Sequence, residues 1–362
     1  MKLSALSGWN ATLVMDQGPV GIWTVAEVKA FPAYACPEIA ALDDRGRLHL
    51  LWSYSGKWTP VTTVNDGKWL GGFVHGDLDP RLAGPEIYVG SQNGNVWQVT
   101  THEPVFCSSR LVAQIPGREI HTLVGGDLDP ATPGSELLAF TNPGGLYLLR
   151  PKSDGEAWTT TPLGDLRGRI RDAVLLPEEA GRSREIATVG RHGRFEILTL
   201  AAGVPAWSVV HEAPMGMGRV ALRSDARPES VVAYTVADDG RVWRHERNAA
   251  REWRTELIYV GDQGMRGCAA GRFDADPAVE TVAVYGYFKR VELLSKRDGV
   301  WRAETLFVDR DAGHWITRGE YDGRNATDEL VATGYSGRIV LLSRPPGYGL
   351  PGVLTAPVPE VR

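Results

Sequence analysis

The stretch GDLDPRLAGPEIYVGSQNGNVWQV, residues 76–99, decides the fold of this chain of 362 residues. A turn rich in Asp, Pro and Gly leads to an apolar run opened by Glu86 and, after a second turn, to another apolar run. Short apolar runs separated by such turns are typical of antiparallel β-strands. The segment GDLDPATPGSELLAFTNPGGLYLLR at 126–150 has the same order, so the stretch is one copy of a repeated unit.

A glutamate opens an equivalent apolar run seven times along the chain, at intervals of 44 to 51 residues. These glutamates are Glu38, Glu86, Glu136, Glu185, Glu229, Glu280 and Glu329. A further run, usually headed by tryptophan, follows in most units, and we expect those tryptophans (Trp9, Trp58, Trp158, Trp207, Trp253 and Trp301) to pack within or between sheets. Four strands in a repeat of this length predict one blade of a β-propeller. The sequence therefore predicts an all-β protein, a seven-bladed propeller of four-stranded antiparallel blades.

The N-terminal segment completes this ring. Residues 8–18, GWNATLVMDQG, align with the last strand of the fifth unit, EWRTELIYVGDQG at 252–264, whereas the last unit lacks such a strand. Because a closed ring hides its strand edges, we expect residues 8–18 to form the outer strand of the last blade. The prediction is a single propeller domain over residues 1–343, followed by a Pro-rich tail at 344–362.

Composition narrows the classes of partner. The net charge of −5 argues against nucleic-acid binding, which requires a basic surface. No run approaches the roughly 20 apolar residues of a membrane helix, so no membrane partner is expected. The three cysteines lie far apart and predict neither a disulfide framework nor a Cys-x-x-Cys metal site. With no recognisable secretory leader, we expect a cytoplasmic protein.

The Asp-rich turns carry clustered carboxylates that allow two interpretations. These are Asp77, Asp79 and Glu86 in the second unit and Asp127, Asp129 and Glu136 in the third. Their oxygens could bind a structural Ca²⁺ or Mg²⁺. Alternatively, they accept backbone N–H bonds and fix the turn, the interpretation that we favour.

The pattern GDLDPxxPGxE in blades 2 and 3, with looser copies in blades 6 and 7, resembles the FG-GAP/VCBS-type repeats of seven-bladed propellers. It is most similar to the repeats of aldos-2-ulose (1,5-anhydrofructose) dehydratase and of family 11 rhamnogalacturonan lyases. This resemblance implies the propeller scaffold and suggests a carbon–oxygen lyase. Blades 1, 4 and 5 depart from the pattern.

Candidate functional residues gather at the opposite end of the propeller, where the innermost strands begin. Alignment of the units places Gly21, Gly71, His121, Arg171, Arg219, Arg266 and His314 there, with Met217 as the alternative to Arg219 in blade 5. Neighbouring loops between second and third strands add further candidates, namely Asp43, Asp44, Gln92, Asn142, Arg191, His192, Tyr285, Tyr287, Lys289 and Tyr335. The predicted result is a cationic arc around a central funnel.

Arginine and histidine around a funnel suit an anionic ligand or a developing oxyanion. We predict that His121, His314 and Tyr335 are catalytic acids and bases. The substrate-binding candidates are Arg171, Arg219, Arg266, His192, Tyr287 and Lys289. The predicted function is a lyase, dehydratase or cyclase without an organic cofactor, acting by elimination on a small enolisable or anionic, sugar-derived substrate. A lectin-like carbohydrate-binding propeller and a protein-interaction platform remain alternatives, because propellers host unrelated functions.

Overall fold

A computed structural model describes residues 1–31, 36–102, 106–132, 134–152, 157–179 and 182–350. These residues form 29 β-strands and no helix, which confirms the all-β prediction. Within these ranges, accordingly, no helix is long and apolar enough to cross a membrane.

The strands form seven antiparallel sheets, or blades, that follow one another along the chain. Blade 1 contains β3 (Ile22–Val28), β4 (Glu38–Asp43), β5 (Arg47–Tyr54) and β6 (Lys57–Asn65). Blade 2 contains β7 (Leu70–Gly76), β8 (Glu86–Ser91), β9 (Asn95–His102) and β10 (Phe106–Gln114). Blade 3 contains β11 (Glu119–Gly126), β12 (Glu136–Asn142), β13 (Gly145–Pro151) and β14 (Trp158–Gly164). Blade 4 contains β15 (Ile170–Leu175), β16 (Glu185–Gly190), β17 (Arg194–Ala201) and β18 (Val204–Glu212).

The remaining blades repeat this order. Blade 5 contains β19 (Met217–Leu222), β20 (Val231–Ala237), β21 (Arg241–Arg247) and β22 (Trp253–Val260). Blade 6 contains β23 (Met265–Ala270), β24 (Glu280–Gly286), β25 (Arg290–Arg297) and β26 (Val300–Val308). Blade 7 contains β27 (Gly313–Gly319), β28 (Glu329–Gly334), β29 (Arg338–Ser343) and, from the N-terminal segment, β2 (Asn10–Asp16). The first strand of each blade is the innermost, and neighbouring innermost strands contact one another around the ring.

Blade 7 is closed by the N-terminal strand, as predicted. Strand β2 pairs antiparallel with β29, with Asn10 opposite Ser343 and Asp16 opposite Arg338. A short additional strand, β1 (Lys2–Leu3), pairs with the outer edge of β2 and makes this sheet five-stranded. The fold class predicted from the repeats is thus confirmed.

The hydrophobic core lies between blades. Leu42 and Leu50 of blade 1, for example, pack with Ile87 and Val89 of blade 2. Seven such clusters of buried residues lie between successive blades, including one between blades 7 and 1. Each sheet therefore depends on its neighbours to cover its apolar faces, as expected for a repeat architecture.

In blades 1, 2, 3 and 7 the repeated glutamate fixes the loop that precedes it. The Glu86 carboxylate is buried and accepts hydrogen bonds from the backbone N–H groups of Leu78 and Asp79, at 3.0 and 3.2 Å. Glu136 accepts the equivalent bond from Leu128 at 2.9 Å. Otherwise unpaired backbone donors explain the glutamate in these blades. In blades 4 and 6 the corresponding Glu185 and Glu280 form ion pairs with arginines instead.

A second recurring position is the glycine just before the third strand of a blade. Gly46 has a φ of +77°, and a Cβ there would lie 2.4 Å from the Lys68 carbonyl oxygen. In blade 6 this position is Lys289, with a φ of +67°, and its N–H donates to the Gly286 carbonyl at 3.0 Å. Lys289 therefore occupies a turn position that normally favours glycine.

The tryptophan series is less uniform than expected. Trp9 and Trp158 are buried, each 5% exposed. Trp207 is 36% exposed on β18, the outermost strand of blade 4. The expectation that every periodic tryptophan packs inside the molecule is therefore wrong for Trp207, because it lies in a run of four exposed residues of β18.

Candidate active site at the mouth of the propeller

A cavity of about 320 Å³ lies where the innermost strands begin. Nine residues predicted from the sequence line it, namely Gly71 and the side chains of His121, Arg171, Arg191, Arg219, Arg266, Tyr287, His314 and Tyr335. Their side chains come from blades 3 to 7, so the ring brings together residues that are far apart in the chain. In blade 5 the lining residue is Arg219, whereas the alternative, Met217, is fully buried in the core.

Two predicted substrate-binding residues lie elsewhere. His192 lines a separate cavity of about 270 Å³ with Trp207, and its Nε2 is 3.5 Å from the Glu196 carboxylate. Its Nδ1 accepts a hydrogen bond from the Arg194 N–H at 3.0 Å. The Lys289 ammonium donates to the Arg310 carbonyl at 3.3 Å.

Blades 4 to 6 form the cationic arc of the mouth. Arg171 donates two hydrogen bonds to the Asp238 carboxylate, at 2.9 and 3.1 Å. Arg266 donates to the same carboxylate at 2.7 Å, and its guanidinium lies 4.5 Å from the centre of the Tyr287 ring. Asp238, in blade 5, thereby fixes two guanidiniums at the rim, one from the blade on each side of its own.

Arg219 forms the floor of the cavity. Its guanidinium donates to the carbonyls of Arg171 and Gly218, both at 2.9 Å, and stacks on Trp315 at 3.8 Å. Burial and the neighbouring arginines lower its pKa to about 10, so it remains charged at neutral pH. Arg219 and Trp315 also line a cavity in the central channel below, and thus lie between the two spaces.

Blades 1 and 2 form an aromatic arc opposite the arginines. Trp23 and Trp69 line the mouth with their ring centres 5.8 Å apart. The Trp23 indole N–H donates to the Asp44 carboxylate, which also accepts the Gly21 N–H at 2.8 Å. These contacts hold an aromatic surface on the side of the cavity away from the cationic arc.

His314 lies where blade 7 meets the aromatic arc. Its ring contacts Trp23 edge to face at 4.6 Å, and its Nδ1 is 3.0 Å from the Trp23 carbonyl oxygen. Because a carbonyl can only accept, the neutral ring carries its proton on Nδ1 and keeps the Nε2 lone pair. Burial, reinforced by Arg219, holds the pKa of His314 well below its usual value, so the imidazole is neutral at pH 7.

His121 occupies the corresponding place in blade 3, at the other end of the aromatic arc. Its ring lies 4.6 Å from Trp69, and its Nε2 is 3.6 Å from the Glu119 carboxylate. Hydrogen bonds from Gln92 and Asn142, at 2.9 and 2.8 Å, help to lower the Glu119 pKa. Burial and the charge of Arg169 lower the pKa of His121 to about 3.

Several lining residues were outside the predicted set. Trp23, Trp69, Glu119 and Arg169 each lie two positions from a predicted position. Side chains two residues apart share one face of a strand. These four residues could therefore have been predicted from the two-residue period of a β-strand, counted in both directions from each predicted residue.

The Asp-rich loops at the opposite end make contacts of a structural kind. Asp77 and Asp127 are exposed, whereas Asp79 and Asp129 are buried. Asp129 accepts the N–H groups of Ala202 and Gly203, in the next blade, at 3.0 and 2.7 Å. These contacts fit the turn-fixing interpretation, and cation binding at Asp77, Asp79, Glu86, Asp127, Asp129 and Glu136 stays a prediction. Within the described ranges, the group of three acidic side chains spaced for one cation is Glu320, Asp322 and Glu329, in blade 7.

Comparisons with known proteins support the fold and leave the family open. No protein-family model matches the sequence, and no curated protein is recognisably similar to it. Among solved structures, the WD40 β-propeller domain of Doa1 is similar with a TM-score of 0.60 and 10% identity. The match covers 92% of this chain and 97% of that one. At this identity the likeness shows a shared propeller fold and carries no activity.

Proposed function

We propose that the chain is a lyase that needs no organic cofactor and eliminates water or a related leaving group from a small anionic substrate bound in the mouth. The observation that carries this proposal is the order of side chains around the ring. Aromatic blades 1 and 2 and cationic blades 4 to 6 are separated by His121 on one side and His314 on the other. A substrate with its ring on the tryptophans and its charge on the arginines would have an imidazole on each flank.

His314 is the proposed base. Its Nε2 holds the lone pair, and within the described part of the chain that nitrogen has no hydrogen-bond partner. It would take the proton alpha to a carbonyl or carboxylate, and the C–H electron pair would become an enolate. Arg219 and Arg266 would stabilise the developing negative charge.

His121 and Tyr335 are the proposed acids. As the enolate collapses to a carbon–carbon double bond, the carbon–oxygen bond to the leaving group breaks and that oxygen takes a proton, which gives water from a hydroxyl. Glu119 lies beside His121 and would favour its protonated form once an anionic ligand offsets the nearby arginines. The Tyr335 hydroxyl is 3.1 Å from that of Tyr287 and is protonated at neutral pH, because burial raises its pKa.

The sugar-derived class of substrate rests on two supports. The GDLDPxxPGxE loops resemble those of aldos-2-ulose dehydratase and family 11 rhamnogalacturonan lyases, and tryptophan faces such as those of Trp23 and Trp69 suit the apolar face of a sugar ring. A second candidate function is lectin-like binding of a sugar-derived anion without turnover. It is favoured by the low pKa of His121, since an imidazole of pKa about 3 is a weak acid–base catalyst at pH 7.

The test is a screen of uronic, aldonic and keto sugars, following absorbance of a conjugated product and the vinyl proton signals by NMR. His314→Gln and His121→Gln are expected to reduce kcat by about 10²- to 10⁴-fold, the range for loss of a general base or acid. His102→Gln is the matched control, because His102 is exposed on β9. Full turnover in both mouth variants would contradict the proposal. Binding without product in the unaltered protein would favour the lectin-like alternative.

A further inference from the structure

Two guanidiniums at the mouth, those of Arg169 and Arg191, differ from the other arginines of the rim in having no ion-pair partner in the described part of the chain. Arg169 precedes β15 and Arg191 follows β16, and the Arg191 N–H donates to the Arg169 carbonyl at 2.9 Å, so the two residues are neighbours across the ladder. Both side chains line the cavity. Within the described ranges neither forms an ion pair, and the Arg169 Nε is buried without a hydrogen-bond partner. Arg171 and Arg266, by contrast, are both bound to Asp238.

The charge of the mouth is therefore strongly positive. Five arginines line the cavity, namely Arg169, Arg171, Arg191, Arg219 and Arg266. Among the described residues, the Glu119 carboxylate lines the cavity, and those of Asp44 and Asp238 bind side chains that line it; each already accepts hydrogen bonds from other residues. Asp172 lines the channel below the floor, where burial raises its pKa. The excess corresponds to about two positive charges, which a ligand with two negative charges would neutralise.

The positions of Arg169 and Arg191 define where the negative charge of the ligand would lie. Arg169 is close enough to His121 for its charge to lower the pKa of that imidazole. Trp23 and Trp69 lie on the other side of His121, in blades 1 and 2. A ligand anchored at Arg169 and Arg191 would therefore extend past His121 toward the tryptophans. The cavity, at about 320 Å³, is within the range of small-molecule sites.

We infer that the ligand of the mouth is a ring compound bearing a phosphate monoester, and that Arg169 and Arg191 bind the phosphate group. A phosphate monoester carries close to two negative charges at neutral pH and three acceptor oxygens, which match two guanidinium forks. This inference rests on the proposed role of the mouth as a substrate site. It adds the chemical class of the charged group and the two residues that select it.

The experiment compares phenyl phosphate with phenyl sulfate by calorimetric titration at pH 7.5. The two esters share an aromatic body and three terminal oxygens, but the sulfate ester carries a single charge. The phosphate ester is expected to bind more tightly by about tenfold or more, because of its additional charge. Arg169→Met and Arg191→Met should each weaken phenyl phosphate binding by about tenfold and reduce the preference over phenyl sulfate. Arg302→Met is the control, since Arg302 is exposed on the outer strand β26.

Equal affinity for the two esters, no binding of either, or unchanged affinity in an Arg169→Met/Arg191→Met double variant would overturn the inference. Thermal unfolding of each variant would show that it is folded. The outcome is separable from that of the proposed function. Phosphate selectivity without any elimination product would sustain the anion site and contradict the lyase. The opposite result would be turnover of a substrate without phosphate that depends on His314, together with equal affinities for the two esters. It would sustain the lyase and contradict the phosphate site.

Discussion

The two ends of the propeller use charged side chains in opposite ways. At the end with the Asp-rich loops, buried carboxylates such as those of Asp129 and Glu136 have hydrogen-bond donors from the backbone or from Arg150. At the mouth, Arg169 and Arg191 have no acidic partner within the described ranges, and His121 is held neutral beside Glu119. The repeated carboxylates thus form hydrogen bonds that hold the scaffold together. The residues of the mouth differ from blade to blade, and some of their positive charges stay available to a ligand.

The largest expected effect of a single substitution is at the scaffold end. Asp129→Ala should lower the free energy of unfolding by about 2–4 kcal/mol, because it removes the acceptor of two backbone N–H groups and a partner of Arg150. Urea unfolding measures this change, and ligand affinity at the mouth should stay the same. Asp127→Ala is the matched control in the same loop. Asp127 is exposed, so its substitution should change stability by less than about 0.5 kcal/mol. Similar losses for the two variants would break the contrast within this loop.

At the mouth, the contrast should appear between two neighbouring arginines. Arg171→Met removes a bidentate partner of Asp238 and should cost about 1–3 kcal/mol of stability. Arg169→Met removes a partly buried cation that lacks an acidic partner, and should leave stability unchanged or raise it by up to about 1 kcal/mol. Parallel urea titrations compare the two variants. A destabilisation by Arg169→Met as large as that by Arg171→Met would show that Arg169 has a structural role.

The two ends should also respond to pH with opposite signs. His121 has a pKa of about 3 in the folded state, below its unfolded value, so the unfolded chain binds the proton first as pH falls. This residue therefore removes stability below about pH 6.5, with a slope of about 1.4 kcal/mol per pH unit down to its folded pKa. Glu86 and Glu136 have pKa values raised by burial, so their contribution to stability is lost as pH rises through the acid range.

Urea unfolding of the His121→Gln variant between pH 4 and 7 separates the two contributions. The free energy of unfolding of this variant should fall less steeply with decreasing pH than that of the unaltered protein. The difference in slope should be about 1.4 kcal/mol per pH unit, the value for one proton. His102→Gln again serves as the exposed control. Equal slopes for His121→Gln and the unaltered protein would show that the imidazole is not held neutral at the mouth.

The smallest effect concerns Lys289, which was predicted to bind substrate. Lys289→Gly should leave ligand affinity unchanged and should change stability by no more than about 1 kcal/mol, because glycine relieves the positive φ but loosens the unfolded chain. Calorimetric titration with phenyl phosphate and urea unfolding measure both quantities. A clear loss of affinity would place Lys289 among the ligand-binding residues and extend the functional end into the blade 6 turn.

The fold could be predicted because seven copies of one sequence pattern indicate the same order of strands. The alignment of residues 8–18 with the last strand of another unit also identified the closing strand β2. The mouth could be predicted in part, since the start of each innermost strand fixed the height of His121 and His314. The position of His192 depends on a turn in which the Arg194 N–H donates to the ring Nδ1, while the ring Nε2 lies 3.5 Å from the Glu196 carboxylate. Such local geometry has no counterpart in the repeat pattern.

Strand β2 also has a consequence for biosynthesis. Its partner β29 follows all the strands of blades 1 to 6 in the chain and therefore leaves the ribosome after them. Until then the edge of β2 that faces β29 has no partner strand, although the residues of blades 1 to 6 have already been synthesised. The mouth is likewise incomplete until His314 and Tyr335 arrive with blade 7. Nascent chains should therefore gain resistance to proteolysis and ligand affinity together, in one late step.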